Sequence, residues 1–254
     1  GVQHIFCVPG ESYLAVLDAL HDAPIELTVC RQEGGAAMMA EAHGKLTGRP
    51  GVCFVTRGPG ATNAAAGVHI AMQDSTPMVL FVGQIERGAR GREAFQEVDY
   101  RAAFGPLAKW ATEVDDARRL PETVARAFSV ACSGRPGPVV VALPEDMLVE
   151  RTEVSDARAL QPIATAPAPA QMERVLELLR QAKRPMAIVG GSRWDAEAVD
   201  RFQNFAASHA LPVACSFRRQ MLFDHQHPCY AGDLGLGVNP ALLARIRAAD
   251  LLLL

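Results

Sequence analysis

Apolar runs of strand length alternate with amphipathic stretches of helix length along almost the whole chain. That alternation leaves few architectures open, because strand, crossover helix and parallel strand must follow one another, as in an α/β protein built on a parallel sheet. The pattern predicts strands over residues 4–8, 26–30, 52–56, 77–83, 109–113 and 138–143. Helices are expected over 11–21, 34–47, 61–73 and 120–132, with a charged loop over 86–99. From 155 to 169 Ala, Pro, Thr and Asp replace any apolar period, which marks a linker. Beyond it, helices over 172–181, 196–209 and 240–249 alternate with strands over 186–189 and 213–215, and the closing run Leu251-Leu252-Leu253-Leu254 reads as a buried strand beginning. The expected organisation is a first domain over 1–150, a linker over 151–170 and a second, incomplete α/β domain over 171–254.

Composition narrows the function. Hydrophobic residues make up 49% of the chain, enough for buried cores, and 25 Lys+Arg against 28 Asp+Glu leave a net charge of −3. No basic excess drives nucleic-acid or anionic-membrane binding by counterion release. No apolar stretch approaches the roughly 20 residues of a membrane helix. Six cysteines without a C-x-x-C pair read as small buried hydrophobes in a reducing, cytoplasmic compartment. The opening Gly1-Val2-Gln3 carries no signal-peptide pattern, and both ends look cut, so the expectation is a fragment.

Two motifs carry chemistry. Arg57-Gly58-Pro59-Gly60-Ala61-Thr62-Asn63 follows a strand and opens a helix, where glycines let backbone approach a ligand and free N–H groups suit an anion or a hydrogen-bonding ring. The same residues also make an ordinary tight turn, and no Gly-Lys-Ser/Thr follows to form a phosphate-binding loop. Arg31-Gln32-Glu33-Gly34-Gly35-Ala36-Ala37 places Glu33 at a strand's carboxyl end, where ligand crevices of parallel sheets lie. Small apolar neighbours would desolvate that carboxylate and suit it to proton exchange; the bland alternative is an acidic residue favoured by the helix dipole.

Six ordered motifs make a resemblance. Val8-Pro9-Gly10, Glu33 through Glu41, Gly58 through Asn63, Asp74-Ser75-Thr76-Pro77, Ala94 through Asp99 and Gly134 through Val139 together resemble the thiamine-diphosphate-dependent enzymes of the acetolactate synthase and benzoylformate decarboxylase type. The resemblance implies a six-stranded parallel-sheet pyrimidine-binding domain, followed by an incomplete Rossmann-like central domain. It implies decarboxylation of a 2-oxo acid with carboligation, in the lyase/transferase class. Glu33 matches the family's catalytic glutamate, which hydrogen-bonds a ring nitrogen of the cofactor's aminopyrimidine. Pro9, Gly10, Pro59, Gly60 and Asn63 match cofactor-binding positions lining the pyrimidine pocket, and Phe95 and Gln96 match positions that approach the substrate. Thiamine diphosphate is the implied cofactor, with Mg2+ held by ligands outside this chain; bound flavin adenine dinucleotide (FAD) is not favoured. The implied partner is a second copy, in a homodimer or tetramer, and the chain alone is expected to be inactive. The small residues of helix 34–47 are expected to face that copy, or else to pack inside the chain.

Other readings remain at this point. The catalytic turn reads Gln32-Glu33-Gly34 where the family often has His-Glu-Gln, and Pro144-Glu145-Asp146 stands where acetolactate synthases usually have Pro-Lys-Asp. The alternatives are a 2-oxo acid decarboxylase without carboligation, of benzoylformate or oxalyl-CoA type, and a non-catalytic nucleotide-binding module using Gly190-Gly191. His225, His227 and Cys229 alternate as strand-borne metal ligands would, although Pro228 interrupts them, and no metal site is expected. Gly232-Asp233-Leu234-Gly235 reads as a loop, and Arg87, Arg90 and Arg92 as a solvated loop offset by Glu86 and Glu93.

Overall fold

The computed structural model describes residues 1–158 and 165–254. The middle of the expected linker, at 159–164, lies outside the described residues. The chain divides into two compact units at residue 163.

The first unit is a six-stranded, all-parallel sheet in the order β2-β1-β3-β4-β6-β5. Its strands are β1 (His4–Cys7), β2 (Glu26–Val29), β3 (Gly51–Val55), β4 (Met78–Gln84), β5 (Trp110–Glu113) and β6 (Pro138–Pro144). The helices are α1 (Leu14–His21), α2 (Glu33–Thr47), α3 (Pro59–Asp74), α4 (Tyr100–Phe104), α5 (Leu120–Cys132) and α6 (Glu145–Leu148). All residues of β3, β4 and β6 are buried, which explains their unbroken apolar runs. Within β3, Cys53 and Val55 enter one core with Ala36, Ala37 and Ala64 of α2 and α3. Val52 and Phe54 enter the other with Ala127 and Ala131 of α5, so helices cover both faces.

Sequence order reverses its direction across this sheet between β1 and β3. From β1 the chain steps outward to β2, then returns past β1 to build β3 and β4 on the other side. Adjacent loops that leave in opposite directions open a crevice at the carboxyl ends of such a pair. The loops after β1 and β3 carry Pro9-Gly10 and residues 57–63.

Two of the six motifs lie at the far, amino end of the sheet and hold helices together. Arg135 Nε donates to Ser75 Oγ at 2.6 Å, and its Nη2 donates to the carbonyl of Met72 at the end of α3. Buried Glu41 accepts from Thr76 Oγ1 at 3.0 Å, and Lys45 pairs with Asp74 at 2.6 Å.

Most of the small residues of α2 turn inward. Ala36, Ala37 and Ala40 are fully buried within the single chain, and a Cβ on Gly67 of α3 would stand 2.6 Å from Ala37 Cβ. These residues are consumed by α2–α3 packing, so the structure corrects the expectation that they face a second copy; of the stripe, Gly35 and Ala42 stay exposed.

The second unit is a four-stranded parallel sheet, β10-β7-β8-β9, of β7 (Pro185–Val189), β8 (Val213–Cys215), β9 (Tyr230–Asp233) and β10 (Leu251–Leu253). Its helices are α7 (Pro169–Gln181), α8 (Ala196–Ser208) and α9 (Pro240–Ala248). Gly232, expected in a loop, lies in β9 at an irregularity between Val213 and Ala214 of β8, with φ of +123°; that break in register hid the strand from the apolar pattern. The terminal Leu run forms a strand as expected, paired with β7, but it is not buried: Leu251 and Leu253 are half-buried and Leu252 and Leu254 exposed. No described helix is long and apolar enough to cross a membrane.

Candidate functional site

Because every strand of the first sheet runs the same way, the residues after β1, β2, β3, β4 and β6 emerge at one edge. Glu33 is the first residue of α2, whose N-terminus is capped by Gln32 accepting from Gly35 N at 2.8 Å. Asn63, one turn into α3, donates from Nδ2 to Glu33 Oε2 at 3.0 Å. Among the described residues this is the only side-chain hydrogen bond to Glu33, so Oε1 remains available. That oxygen faces Gly60, where an added Cβ would lie 3.5 Å away. The two motifs singled out in the sequence therefore meet.

The turn between them is fixed from three sides. Gly58 has φ of +55° and ψ of −110°, a conformation open only to glycine, and its N–H donates to the buried Tyr100 hydroxyl at 2.8 Å. Burial pushes that hydroxyl up to about 12, so it stays protonated. Thr56 Oγ1 lies 2.9 Å from the buried Ser12 Oγ, which ties the turn to the loop after β1. Arg57, 7% exposed, is gripped by Glu11 and by Glu145 Oε2, the latter at 3.2 Å.

The glycines have a different immediate use from the one expected. A Cβ on Gly10 would stand 2.4 Å from Thr56 Cβ, one on Gly58 2.7 Å from Gln96 Cβ, and one on Gly60 2.8 Å from Thr56 Cγ2. The missing side chains let three loops pack on one another, and that packing shapes the site floor. Pro9, Pro59, Asn63 and Phe95 are exposed above it, while Gly10, Glu33 and Gln96 are half-buried. Glu33 is thus half-buried at the rim: its small neighbours Gly34, Ala36 and Ala37 are turned into the core rather than packed around the carboxylate.

On the loop 86–99, Gln96 reaches the turn at Gly58. Gln96 adopts φ of +64° and backs onto Gly58, whereas Phe95 is 75% exposed. An open cleft of about 440 Å³, lined by Gly91, Glu93, Ala94, Gln96 and Glu97, borders this loop. Arg87 and Arg90 pin the loop, contrary to the expected solvated surface. Arg87 pairs with Asp146 at 2.7 Å and with Glu150, and Arg90 pairs with Glu113 and, at 2.6 Å, with Asp115. Burial would raise the Asp146 carboxyl, but hydrogen bonds from the Arg87 side chain and backbone hold it below its ordinary value. The carboxylates that offset these arginines are Asp115, Glu113, Asp146 and Glu150, not the neighbours Glu86 and Glu93.

Sequence reasoning missed Ser12 and Tyr100 as parts of the site, and gave no role to Arg57, at the head of the turn motif, or to Glu145, noted only as a departure. Their only local trace was proximity to Gly10, Gly58 and Gln96 or a strand's end; the pairing itself spans tens of residues.

In the second unit the features left open do not assemble. Residues 225–229 are turns, not a strand, and His225 and His227 bond the Gln220 carbonyl and the Cys229 N–H respectively. At Gly190-Gly191, a Cβ on Gly190 would lie 2.5 Å from Ser216 Oγ, and Trp194 Nε1 donates to the Gly190 carbonyl. The start of α8 is capped by the Asp195 carboxylate accepting from Ala198 N at 2.7 Å, which sets a negative charge where a nucleotide phosphate would need N–H donors. Open cavities of about 370 and 580 Å³ lie at the amino ends of β7 and β8, lined by Arg245 and Pro212, away from the carboxyl ends of that sheet.

Comparison with known proteins follows this geometry. Residues 1–103 match the family described as thiamine pyrophosphate enzyme, N-terminal TPP binding domain, and residues 172–254 match its central domain. The chain is 37% identical over 254 residues to the acetolactate synthase isozyme 2 large subunit of Escherichia coli, covering 100% of this chain and 46% of that protein. It is 37% identical over 265 residues to the acetolactate synthase large subunit of Parasynechococcus marenigrum, covering 100% of this chain and 43% of that one. It is 34% identical to the acetolactate synthase of Bacillus subtilis, covering 100% of this chain and 45% of that protein. The chain spans less than half the length of these relatives.

Proposed function

The chain belongs to the thiamine pyrophosphate enzymes, and from that premise we propose that it supplies the pyrimidine-binding half of an active site that decarboxylates a 2-oxo acid and joins the product to a second carbonyl compound, as an acetolactate synthase does. The observation that carries this reading is Glu33, with one carboxylate oxygen held by Asn63 and the other turned to the crevice. The residues present fit an aminopyrimidine: a carboxylate to exchange a proton with a ring nitrogen, a floor of glycines, and exposed Pro9 and Pro59 as apolar surface.

Thiamine diphosphate, when bound, supplies the electron sink that 2-oxo acid cleavage requires. Glu33 Oε1 holds and returns the proton. Asn63 keeps Oε2 fixed, so that the carboxylate presents one oxygen in one direction. Gly10, Gly58 and Gly60 bring the turns together beneath it, and Gln96 stands at the substrate side. The half-exposed state of Glu33 calls for a cover from outside these residues. We assign that cover to the diphosphate-binding domain of a second subunit in a homodimer or tetramer, which also holds Mg2+ with the diphosphate. The chain alone is then inactive. The enzyme works in the cytoplasm, and no role is assigned to FAD.

The test is Glu33→Gln in the complete enzyme. The near-isosteric amide keeps the fold but cannot cycle a proton, so turnover of pyruvate should fall at least about a hundredfold. Unchanged turnover in the folded variant refutes the role of Glu33. Acetaldehyde as sole product of the wild-type protein would replace carboligation with simple decarboxylation.

A further inference from the structure

Among the described residues, Arg57 is a buried cation at the site edge whose role the proposed chemistry does not absorb. Its side chain is 9% exposed, and it joins three strand ends: its own at β3, Glu11 after β1 and Glu145 after β6. Its Nε is buried without a hydrogen-bond partner among the described residues. A buried cation left partly unsatisfied is costly, and pairs of this kind contribute little net stability, so stability does not account for the arrangement.

Its position does. Arg57 immediately precedes Gly58, and the turn it anchors delivers Asn63 to Glu33. Glu145, Arg57, the turn and Asn63 thus form a continuous chain of contacts that ends on Glu33. The neighbouring Asp146 holds Arg87 at the base of the loop whose Gln96 backs onto Gly58. A Lys in place of Glu145 would set an ammonium against the Arg57 guanidinium, now 3.2 Å from the Glu145 carboxylate.

We propose that Arg57 and Glu145 are positioning residues, which hold the turn 58–63 so that Asn63 orients Glu33. The proposal rests on the thiamine diphosphate reading above. Glu145→Lys and Glu145→Gln leave Arg57 paired with Glu11, so both should fold. Glu145 is 41% exposed on its side chain and a replacement can swing outward, but the 9% exposed Arg57 loses one of its two carboxylate partners, so melting should fall by several °C while the chain still folds. A displacement of about 1 Å in a reacting geometry costs on the order of a hundredfold, so a fraction of that at Glu33 should lower kcat about tenfold in Glu145→Lys and less in Glu145→Gln. KM for the 2-oxo acid should stay within about twofold, because the substrate-facing loop has its own anchor in Asp146.

The experiment is a double-mutant cycle in the complete protein, read by kcat, KM, melting temperature and calorimetric titration with thiamine diphosphate. In an Arg57→Met background, Glu145→Lys should cost no further kcat, since the repelled guanidinium is gone. Additive effects in the cycle overturn the proposal. So does an unchanged kcat in folded Glu145→Lys, or a kcat loss that only parallels loss of folded protein. Titration of the wild type separates the two levels: no thiamine diphosphate binding there sinks the parent reading and this one together, whereas normal binding with additive variants sinks the positioning role alone.

Discussion

Gly67 lies in mid-α3 where that helix crosses α2, and Gly67→Ala tests whether their close approach is obligatory. A Cβ there would stand 2.6 Å from Ala37 Cβ, 2.8 Å from the Ala37 carbonyl carbon and 3.0 Å from Met38 N. Carbon atoms pack at about 3.5–4.0 Å, so the helices must part by roughly 1 Å, and two of the three obstacles are backbone that cannot rotate away. Removing a mid-helix glycine gains about 1 kcal/mol in propensity, while overpacking of this kind costs about 1–3 kcal/mol. Parting the helices also loosens Ala36, Ala40, Ala64 and Val68, all fully buried, so the loss should prevail by about 1–2 kcal/mol. For a unit of this size that lowers melting by about 2–8 °C. Gly35→Ala is the control, because its Cβ would meet nothing nearer than Gln32 Oε1 at 4.0 Å; it should stabilise by up to about 1 kcal/mol. Unfolding is followed in the full chain by Trp110 fluorescence in a Trp194→Phe background, which leaves one reporter in the first unit. Gly67→Ala as stable as its parent, or Gly35→Ala losing as much, would refute the packing argument.

Thr76→Val removes the hydroxyl that donates to buried Glu41 and leaves a carboxylate oxygen short of a partner, so chemical denaturation should show a loss of about 1–3 kcal/mol; a neutral result would mean that the bond contributes nothing. The loop 86–99 should loosen in acid. Asp146 is lowered by Arg87 against the opposing effect of burial, and Glu97 is lowered by the N–H groups of Gly91 and Ala94. Stability from such depressed carboxyls is whole above their ordinary values near pH 4 and fades as the pH falls through the lowered ones. Amide exchange at Gly91 and Ala94, corrected for intrinsic rate, should therefore speed up below about pH 4, and protection that persists undiminished to about pH 2 would contradict the assignment.

Much of this fold is local and therefore legible. Helix α5 and strand β8 fall where apolar period and turn residues put them, because burial on a sheet face or helix stripe repeats every two or 3.6 residues whatever the neighbours are. Five-residue α4 and four-residue α6 carry too few turns for a period to show, and β9 is interrupted at Gly232. The meeting of Glu33 with residues 58–63 was also readable in outline, since both follow strands of a parallel sheet and must share its carboxyl edge.

What the chain's order could not reveal is which strands are neighbours. Only the tertiary structure sets β1 between β2 and β3, so that the loop carrying Pro9-Gly10 leaves between those that bring Glu33 and Asn63 together, and only it turns Ala36, Ala37 and Ala40 of α2 toward α3. The same holds for charge. Arg57 pairs with residues 46 and 88 positions away, and Arg87 with residues 59 and 63 positions away, while the acidic neighbours of Arg87 in sequence play no part. A side chain's period is a property of its own helix or strand, but an ion pair depends on two positions whose separation in the sequence is set by the loops and helices between them. The sequence by itself thus determined the elements and the edge at which chemistry gathers, and the folded arrangement of strands decided which residues hold it in place.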